Sequence, residues 1–203
     1  VATPEGYARN PELVINFYNE RRKQLLDVVP NAGHLGVADL ERDFNVTVVT
    51  QNVDNLHERA GSTHVIHLHG ELTKVCSSRD PYNPHFVKEL APEEYEVKLG
   101  DKAGDGTQLR PFIVWFGESV PEIETAIRYV EQADIFVIIG TSLNVYPAAG
   151  LLNYVPRAAE VYLIDPKPVD THVMRPIHVI QKGASEGVKE LKALLAATQP
   201  PLL

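Results

Sequence analysis

Cysteine is almost absent from this 203-residue chain. Cys76 stands alone, so no internal disulfide can form. Basic residues are also scarce: 19 Lys and Arg face 27 Asp and Glu, giving a formal charge of -8 and a pI near 5.5. That balance argues against a protein built to bind a phosphate backbone, because such binding needs clustered Lys and Arg, and nucleic acid is not an expected partner. No apolar run is long enough to span a bilayer, nothing reads as a signal peptide, and no GxGxxG fingerprint occurs. A reducing, cytoplasmic compartment without a membrane is therefore expected. Internal repeats are missing, and the only biased tract is the Pro-rich "TQPPLL" tail. The chain opens without Met, in "VATPEGYARNPEL", which reads as the middle of something. A preceding stretch of the natural protein is expected.

What the chain does have is 44% hydrophobic residues, enough for one main domain with a small appendage. Asn10-Pro11 is a helix start, and Leu13, Val14, Phe17 and Leu25 give a partly periodic apolar face, so residues 1–30 read as a helical segment. A second helix near Asn31 leads into the strand "NVTVVT". Strands "VIHLH" and "PFIVWF" follow, then helix 120–132, strand "DIFVIIG", helix 147–155, strands "VYLID" and "IHVIQK", and helix 185–195. Continuous apolar strands interleaved with helices predict an α/β, Rossmann-like, mostly parallel sheet with helices on both faces. From Thr73 to Arg110 the chain turns polar, with Gly100, Gly104 and Gly106, and reads as a weakly packed inserted module. The expected domains are 1–30 as a helical segment of a small domain, 31–72 with 111–203 as the sheet domain, and 73–110 as the insert.

Polar clusters follow the strands: "TQNVD", "HLHGE", "WFGE", "IGTS" and "LID". In doubly wound sheets ligands lie outside the carboxyl ends of strands, so these clusters point to one shared crevice. Taken singly, each is equally a set of turn and capping residues. His67 and His69 lie two apart and share a side of a strand, which with His64 invites a metal. No HExxH pattern accompanies them, and Glu71 is not spaced as a helical partner. A general base at His69 is the preferred reading, since Gly70 lets a ligand come close, and His67 reads as structural. The small residues of "IGTS" could let backbone N–H groups meet phosphate.

Together, "TQNVDNLHERAG", "HLHGEL", "RPFIVWFGE", "GTSLNVYPAAG" and "KGASEGVKEL", in this order and at these spacings, closely resemble the sirtuins, NAD-dependent protein lysine deacylases. The likeness covers nearly the whole chain. It implies NAD as cofactor and acylated lysines of proteins or peptides as substrate, with nicotinamide and O-acyl-ADP-ribose as products. By resemblance, Gln51, Asn52, Val53 and Asp54 line the nicotinamide and its ribose, with Asn52 and Asp54 joining His69 in catalysis. His69 is the implied general base. Gly140, Thr141 and Ser142 would meet phosphate and ribose, Asp165, Pro166 and Lys167 the adenosine ribose, and Ala184 the adenine. Val114, Phe116, Gly117 and Glu118, with Asn144, Val145 and Tyr146, would clasp the substrate peptide as an added strand.

Three departures from the family pattern stand out. The glycine-rich "GAG" loop that opens sirtuins is absent from these residues. Asp165 fills the place of an Asn. The usual two CxxC pairs for structural zinc are reduced to Cys76 in "VCSSRD", with Arg79 in the second ligand's place, so no structural zinc is expected and Tyr82, Phe86 and Leu90 are expected to pack the insert. In "FYNERRK", Tyr18 and Arg21 share a helix face, as in sirtuins that prefer succinyl or malonyl lysine, which implies a carboxylate-bearing acyl group. The plainer reading makes Arg21, Arg22 and Lys23 a solvated basic run. Two other functions stay open: a non-catalytic ADP-ribose or acyl-lysine binding module, and ADP-ribosyl transfer.

Overall fold

The computed structural model describes residues 1–141, 148–168 and 175–198. In chain order the elements are α1 Pro4–Arg9, α2 Pro11–Leu25, α3 Ala32–Asp39, β1 Val48–Thr50, α4 Leu56–Ala60, β2 Val65–His67, β3 Gly70–Ser77, β4 Lys88–Glu89 and β5 Leu109–Ile113. They continue with α5 Ile123–Val130, β6 Ile135–Ile139, α6 Ala148–Leu152, β7 Glu160–Ile164, β8 His178–Ile180 and α7 Ala184–Thr198. By internal contacts the chain forms two compact units: 1–29, 49–56 and 65–122 in the first, 30–48, 57–64 and 123–203 in the second.

The first unit is built on α2. Asn10 caps it by accepting from the Leu13 N–H, and Pro11 takes the first helical position, where its missing N–H costs nothing. Val14, Ile15, Tyr18, Asn19, Arg22 and Leu25 recur every three or four residues and form its buried stripe. That stripe meets an antiparallel sheet ordered β4-β3-β5, with Val75 opposite Pro111 and Cys76 opposite Arg110. Two apolar clusters result, one of Val14, Tyr18, Leu25, Leu72, Ile113 and Trp115, the other of Ile15, Val75 and Val97.

Here the fold departs from the sequence expectation. The strand in "PFIVWF" pairs antiparallel with Gly70–Ser77, a stretch whose latter part was assigned to the insert, and does not lie in the parallel sheet. The insert is also well tied down. Leu90 packs on the Ile15 cluster and Phe86 lies beside Gly104, as apolar packing requires. Polar clamps add to this. The Asn19 side chain donates to the Val97 carbonyl at 2.8 Å and accepts from its N–H at 2.9 Å, and Arg22 donates to the Tyr95 carbonyl at 2.8 Å.

The second unit holds the parallel sheet β6-β7-β8. Tyr162, Ile164, Ile180, Val188, Leu191 and Leu195 form its core. Close approach of α7 to β7 requires Gly187, where an added Cβ would lie 2.2 Å from Ile164 Cγ2. Gly36 plays the same part between α3 and α7, 2.7 Å from Val188 Cγ1.

Candidate functional site

The parallel register pairs Ile139 with Ile164 and Ile164 with Ile180, so β6, β7 and β8 end level. Gly140, Asp165 and the residues leading to Ala184 therefore emerge side by side at the carboxyl edge, where doubly wound sheets bind ligands. Gly140 has φ +66°, a left-handed turn that favours glycine, and nothing lies within 4 Å of a Cβ built there. Its N–H donates to the Ile164 carbonyl at 3.0 Å. Asp165, half-buried, accepts at Oδ1 from the Lys167 N–H at 2.8 Å, an Asx turn. Pro166 and Lys167 are exposed. Ala184 opens the 15-residue α7, and the first N–H groups of any helix lack an intrahelical partner.

The first unit gathers the other half of the predicted residues. After β1, the Asn52 N–H donates to Thr50 Oγ1 and Asp54 Oδ1 accepts from the Leu56 N–H, at 3.0 Å each. These turn bonds hold the backbone and leave the Asn52 amide exposed. Gln51, Val53 and Asp54 are half-buried. His67 Nδ1–H donates to the Asn52 carbonyl at 3.0 Å, and its Nε2 lies 3.9 Å from Glu71. Both contacts fit the structural role read from the sequence.

His69 occupies the turn between β2 and β3, half-buried, and its carbonyl accepts from the Val114 N–H at 2.9 Å. Among the described residues its ring makes no hydrogen bond. Gly70 has φ +89°, and a Cβ there would sit 2.1 Å from the Phe112 carbonyl oxygen. The glycine serves the close passage of β5, and the sequence argument that it admits a ligand is corrected accordingly.

A cavity of about 400 Å³ opens on this unit, lined by Phe17, Tyr18, Arg21, Gln24, Leu25, Val28, Val53, Asp54, Leu72 and Ile113. It brings Tyr18 and Arg21 of α2 together with Val53 and Asp54 from beyond β1. Arg21 is exposed, with its Cζ 5.2 Å over the Phe17 ring. Arg22 is the buried one, because it falls in the helix stripe. It is bonded by Asn19 Oδ1 at 2.6 Å and by backbone carbonyls, and burial pulls its pKa down to about 10, so it stays charged at neutral pH.

Beside the cavity, Trp115 to Glu118 make a turn with Gly117 at φ +90°. Val114 is half-buried and Phe116 is 79% exposed. The Phe116 N–H donates to the Ala2 carbonyl and the Glu118 N–H to the Trp115 carbonyl, so neither donor is open to an added strand. The Glu118 carboxylate is fully engaged. It accepts two bonds from Arg110 at 3.0 Å, one from the Tyr82 hydroxyl and one from the Trp115 N–H. Burial alone would raise its pKa, but the Arg110 bonds and the Trp115 N–H hold it below the ordinary carboxylate value.

Sequence reasoning missed Asn19, Arg22, Arg110 and Trp115. The spacing 15, 18, 22, 25 on α2 was a usable signal for Arg22. The Arg110–Glu118 pair had none, since it depends on the turn between them. Ser142, Asn144, Val145 and Tyr146 lie outside the described residues.

These two edges, a parallel sheet with a carboxyl-end crevice and an antiparallel module with a lined cavity, define a Rossmann-like α/β protein. The Sir2 family pattern matches residues 1–147. The chain is 83% identical over 195 residues to an NAD-dependent protein deacylase of Bacteroides thetaiotaomicron, covering 96% of this chain and 83% of that protein. It is 47% identical to the protein of that name in Helicobacter pylori strain 26695, over 94% of this chain and 81% of the relative. Among solved structures it resembles a Sir2 homolog–NAD complex, with TM-score 0.80, 35% identity and coverage of 98% and 77%. A Sir2–p53 peptide–NAD+ complex aligns at TM-score 0.77 and 25% identity over 98% and 83%. The chain belongs to the Sir2, or sirtuin, family.

Proposed function

We propose that this protein is an NAD-dependent lysine deacylase acting on acylated proteins or peptides, and that it accepts succinyl and malonyl as well as acetyl groups. One observation carries the reading: a single cavity joins Tyr18 and Arg21, suited to an acyl carboxylate, to Val53 and Asp54 beside the amides of Gln51 and Asn52. The relatives named as NAD-dependent deacylases and the neighbour solved with NAD support it. We assign the parallel sheet to the NAD-binding domain and residues 73–110, with the helical segment 1–30, to the smaller part of the enzyme. A cytoplasmic location is part of the reading, as the one-cysteine composition leads one to expect.

The residues present fit NAD. Gly140 gives an open turn that a side chain would fill, Thr141 adds a hydroxyl, and Asp165 Oδ2 is an acceptor for a ribose hydroxyl. Ala184, half-buried at the start of α7, would border the adenine. Gln51, Asn52, Val53 and Asp54 would hold the nicotinamide end. When bound, NAD supplies an anomeric carbon with nicotinamide as leaving group and then ADP-ribose as acyl acceptor.

The chain's own groups do the rest. Amides at Gln51 and Asn52 can hold a carboxamide in plane, and the Asp54 carboxylate, steadied by the Leu56 N–H, orients it without covalent chemistry. His69, its backbone fixed by Val114 and its ring without a hydrogen bond among the described residues, would accept a proton from a ribose hydroxyl at a ring nitrogen. Arg21 stays in water until a substrate carboxylate pairs with it, so an empty pocket costs little. Val114, Phe116 and Gly117 would border the substrate lysine. Glu118 supports them through Arg110 and Trp115.

The reading carries no structural zinc. The Cys76 thiol faces the Pro111 carbonyl inside β3, and burial pushes its pKa up to about 12, whereas a zinc ligand must be a thiolate. The test incubates full-length enzyme with NAD and an acetyl- or succinyl-lysine peptide and follows nicotinamide and O-acyl-ADP-ribose by mass spectrometry. Peptide-dependent formation of both is expected. Binding without nicotinamide release would make the protein a reader module, and ADP-ribosylated peptide would make it a transferase.

A further inference from the structure

Tyr18 is 6% exposed, and among the described residues its hydroxyl has one hydrogen-bond partner, the Trp115 Nε1–H at 3.0 Å. An indole N–H can only donate, so the tyrosine oxygen must accept. A phenol that accepts on one side in the ring plane carries its own hydrogen on the other. Among the described residues no acceptor lies within bonding distance of that hydrogen. Buried hydroxyls ordinarily satisfy their hydrogen, so this one points to an acceptor that arrives with a ligand. Tyr18 lines the same cavity as Arg21.

Trp115 is itself held rigidly. It is 2% exposed, the Arg110 guanidinium stacks 3.8 Å over its ring centroid, and the Tyr7 ring packs at 5.4 Å. Arg110 in turn is fixed by the two hydrogen bonds it donates to the Glu118 carboxylate. The indole N–H thus has one available direction, and the Tyr18 oxygen lies along it.

We infer that Trp115 is a positioning residue for acyl-group selectivity: by donating to the Tyr18 oxygen it sets the polarity of that hydroxyl, directing its hydrogen toward the carboxylate of a dicarboxylic acyl-lysine. The inference rests on the reading of Tyr18 and Arg21 as the acyl-contacting pair. Acetyl has no carboxylate to meet that hydrogen, so the effect is confined to carboxylated substrates.

The test measures kcat and KM on matched succinyl- and acetyl-lysine peptides for the full-length enzyme, Trp115→Phe, Tyr18→Phe and the double variant. Trp115→Phe keeps an aromatic face for Arg110 but removes the donor. It is expected to raise the succinyl KM by about 3- to 10-fold with kcat held, lowering the succinyl-to-acetyl ratio of kcat/KM by the same factor. Tyr18→Phe should lower that ratio at least as far, and adding Trp115→Phe to it should lower it no further. Where Trp115→Phe fails to fold, benzothienylalanine at position 115 keeps both rings and replaces only the N–H by sulfur. Equal KM increases for both peptides, or multiplying effects of the two substitutions, would overturn the inference. A ratio unmoved by Tyr18→Phe would remove the acyl reading itself. A ratio lowered by Tyr18→Phe but untouched by benzothienylalanine would remove only the role of Trp115.

Discussion

The two compact units of this chain are held by different forces. Among the described residues, the buried polar and charged side chains Asn19, Arg22, Thr50, His67, Ser77 and Arg110 lie in the first unit, and Ser62 in the second. The parallel sheet and α7 close mainly on aliphatic side chains, with Gly36 and Gly187 setting the distance, and Arg175 fastens the carbonyls of Val155, Pro156 and Ala159 nearby. The antiparallel module closes on carbonyls caught by guanidinium and amide groups. The lesson is that a sheet covered by long helices can rely on apolar area, while a short-stranded module with long loops needs its loop carbonyls fastened one at a time.

The sharpest way to separate chemistry from architecture is His69→Ala. Its ring has no hydrogen bond among the described residues, so turnover should fall by about 100- to 10,000-fold while thermal unfolding barely moves. Turnover within threefold of wild type on the same peptide at the same pH would take His69 out of the mechanism.

Next in size is Arg110→Met, which removes one partner of a buried ion pair and leaves Glu118 uncompensated. We expect a loss of about 3–5 kcal/mol by denaturant titration. The pH profile should follow. Because the folded Glu118 pKa lies below its unfolded value, its contribution is present above the ordinary carboxylate range and lost as pH falls through the folded pKa. Glu118→Gln should therefore flatten the acid limb of stability, and an unchanged acid limb would count against the pair as a fastening of the first unit.

In the apolar unit the matching test is volume. Gly187→Ala forces a methyl against Ile164 and should cost about 1–3 kcal/mol, with Ile164→Ala in that background giving part of it back. Strictly additive losses would mean that α7 does not rest on that contact.

The smallest expected effect is none. Chelator treatment of tag-free enzyme should leave its melting temperature unchanged, because Cys76 is a buried thiol committed to Pro111. Stoichiometric zinc whose removal unfolds the protein would reverse this account of how the insert is held.

Much of this was legible in the sequence, for local reasons. The strands "DIFVIIG" and "VYLID" declare themselves through unbroken apolar runs, and α2 through Asn10-Pro11 and its spacing. Among the described residues, Asn52, Asp54, Gly140, Thr141 and Asp165 follow the ends of β1, β6 and β7. What stayed hidden depends on partners far along the chain. "GELTKVCS" mixes Lys74 and Thr73 with Leu72 and Val75, and its identity as a strand rests on Leu109–Ile113, beyond the whole insert. Arg21 and Arg22 are adjacent in a basic run. Only the phase of the helix, about 100° per residue, tells which one is buried.

The tight passage of β5 past Gly70 has an evolutionary consequence. Every amino acid reachable from a glycine codon carries a Cβ, and any Cβ at position 70 collides with the Phe112 carbonyl. A random-mutagenesis screen scored by activity would therefore mark position 70 as intolerant as its neighbour His69, although glycine contributes no reacting atom. Lineages can change the chemistry around this turn only by first moving a strand, so the place of the histidine is inherited together with the backbone that holds it.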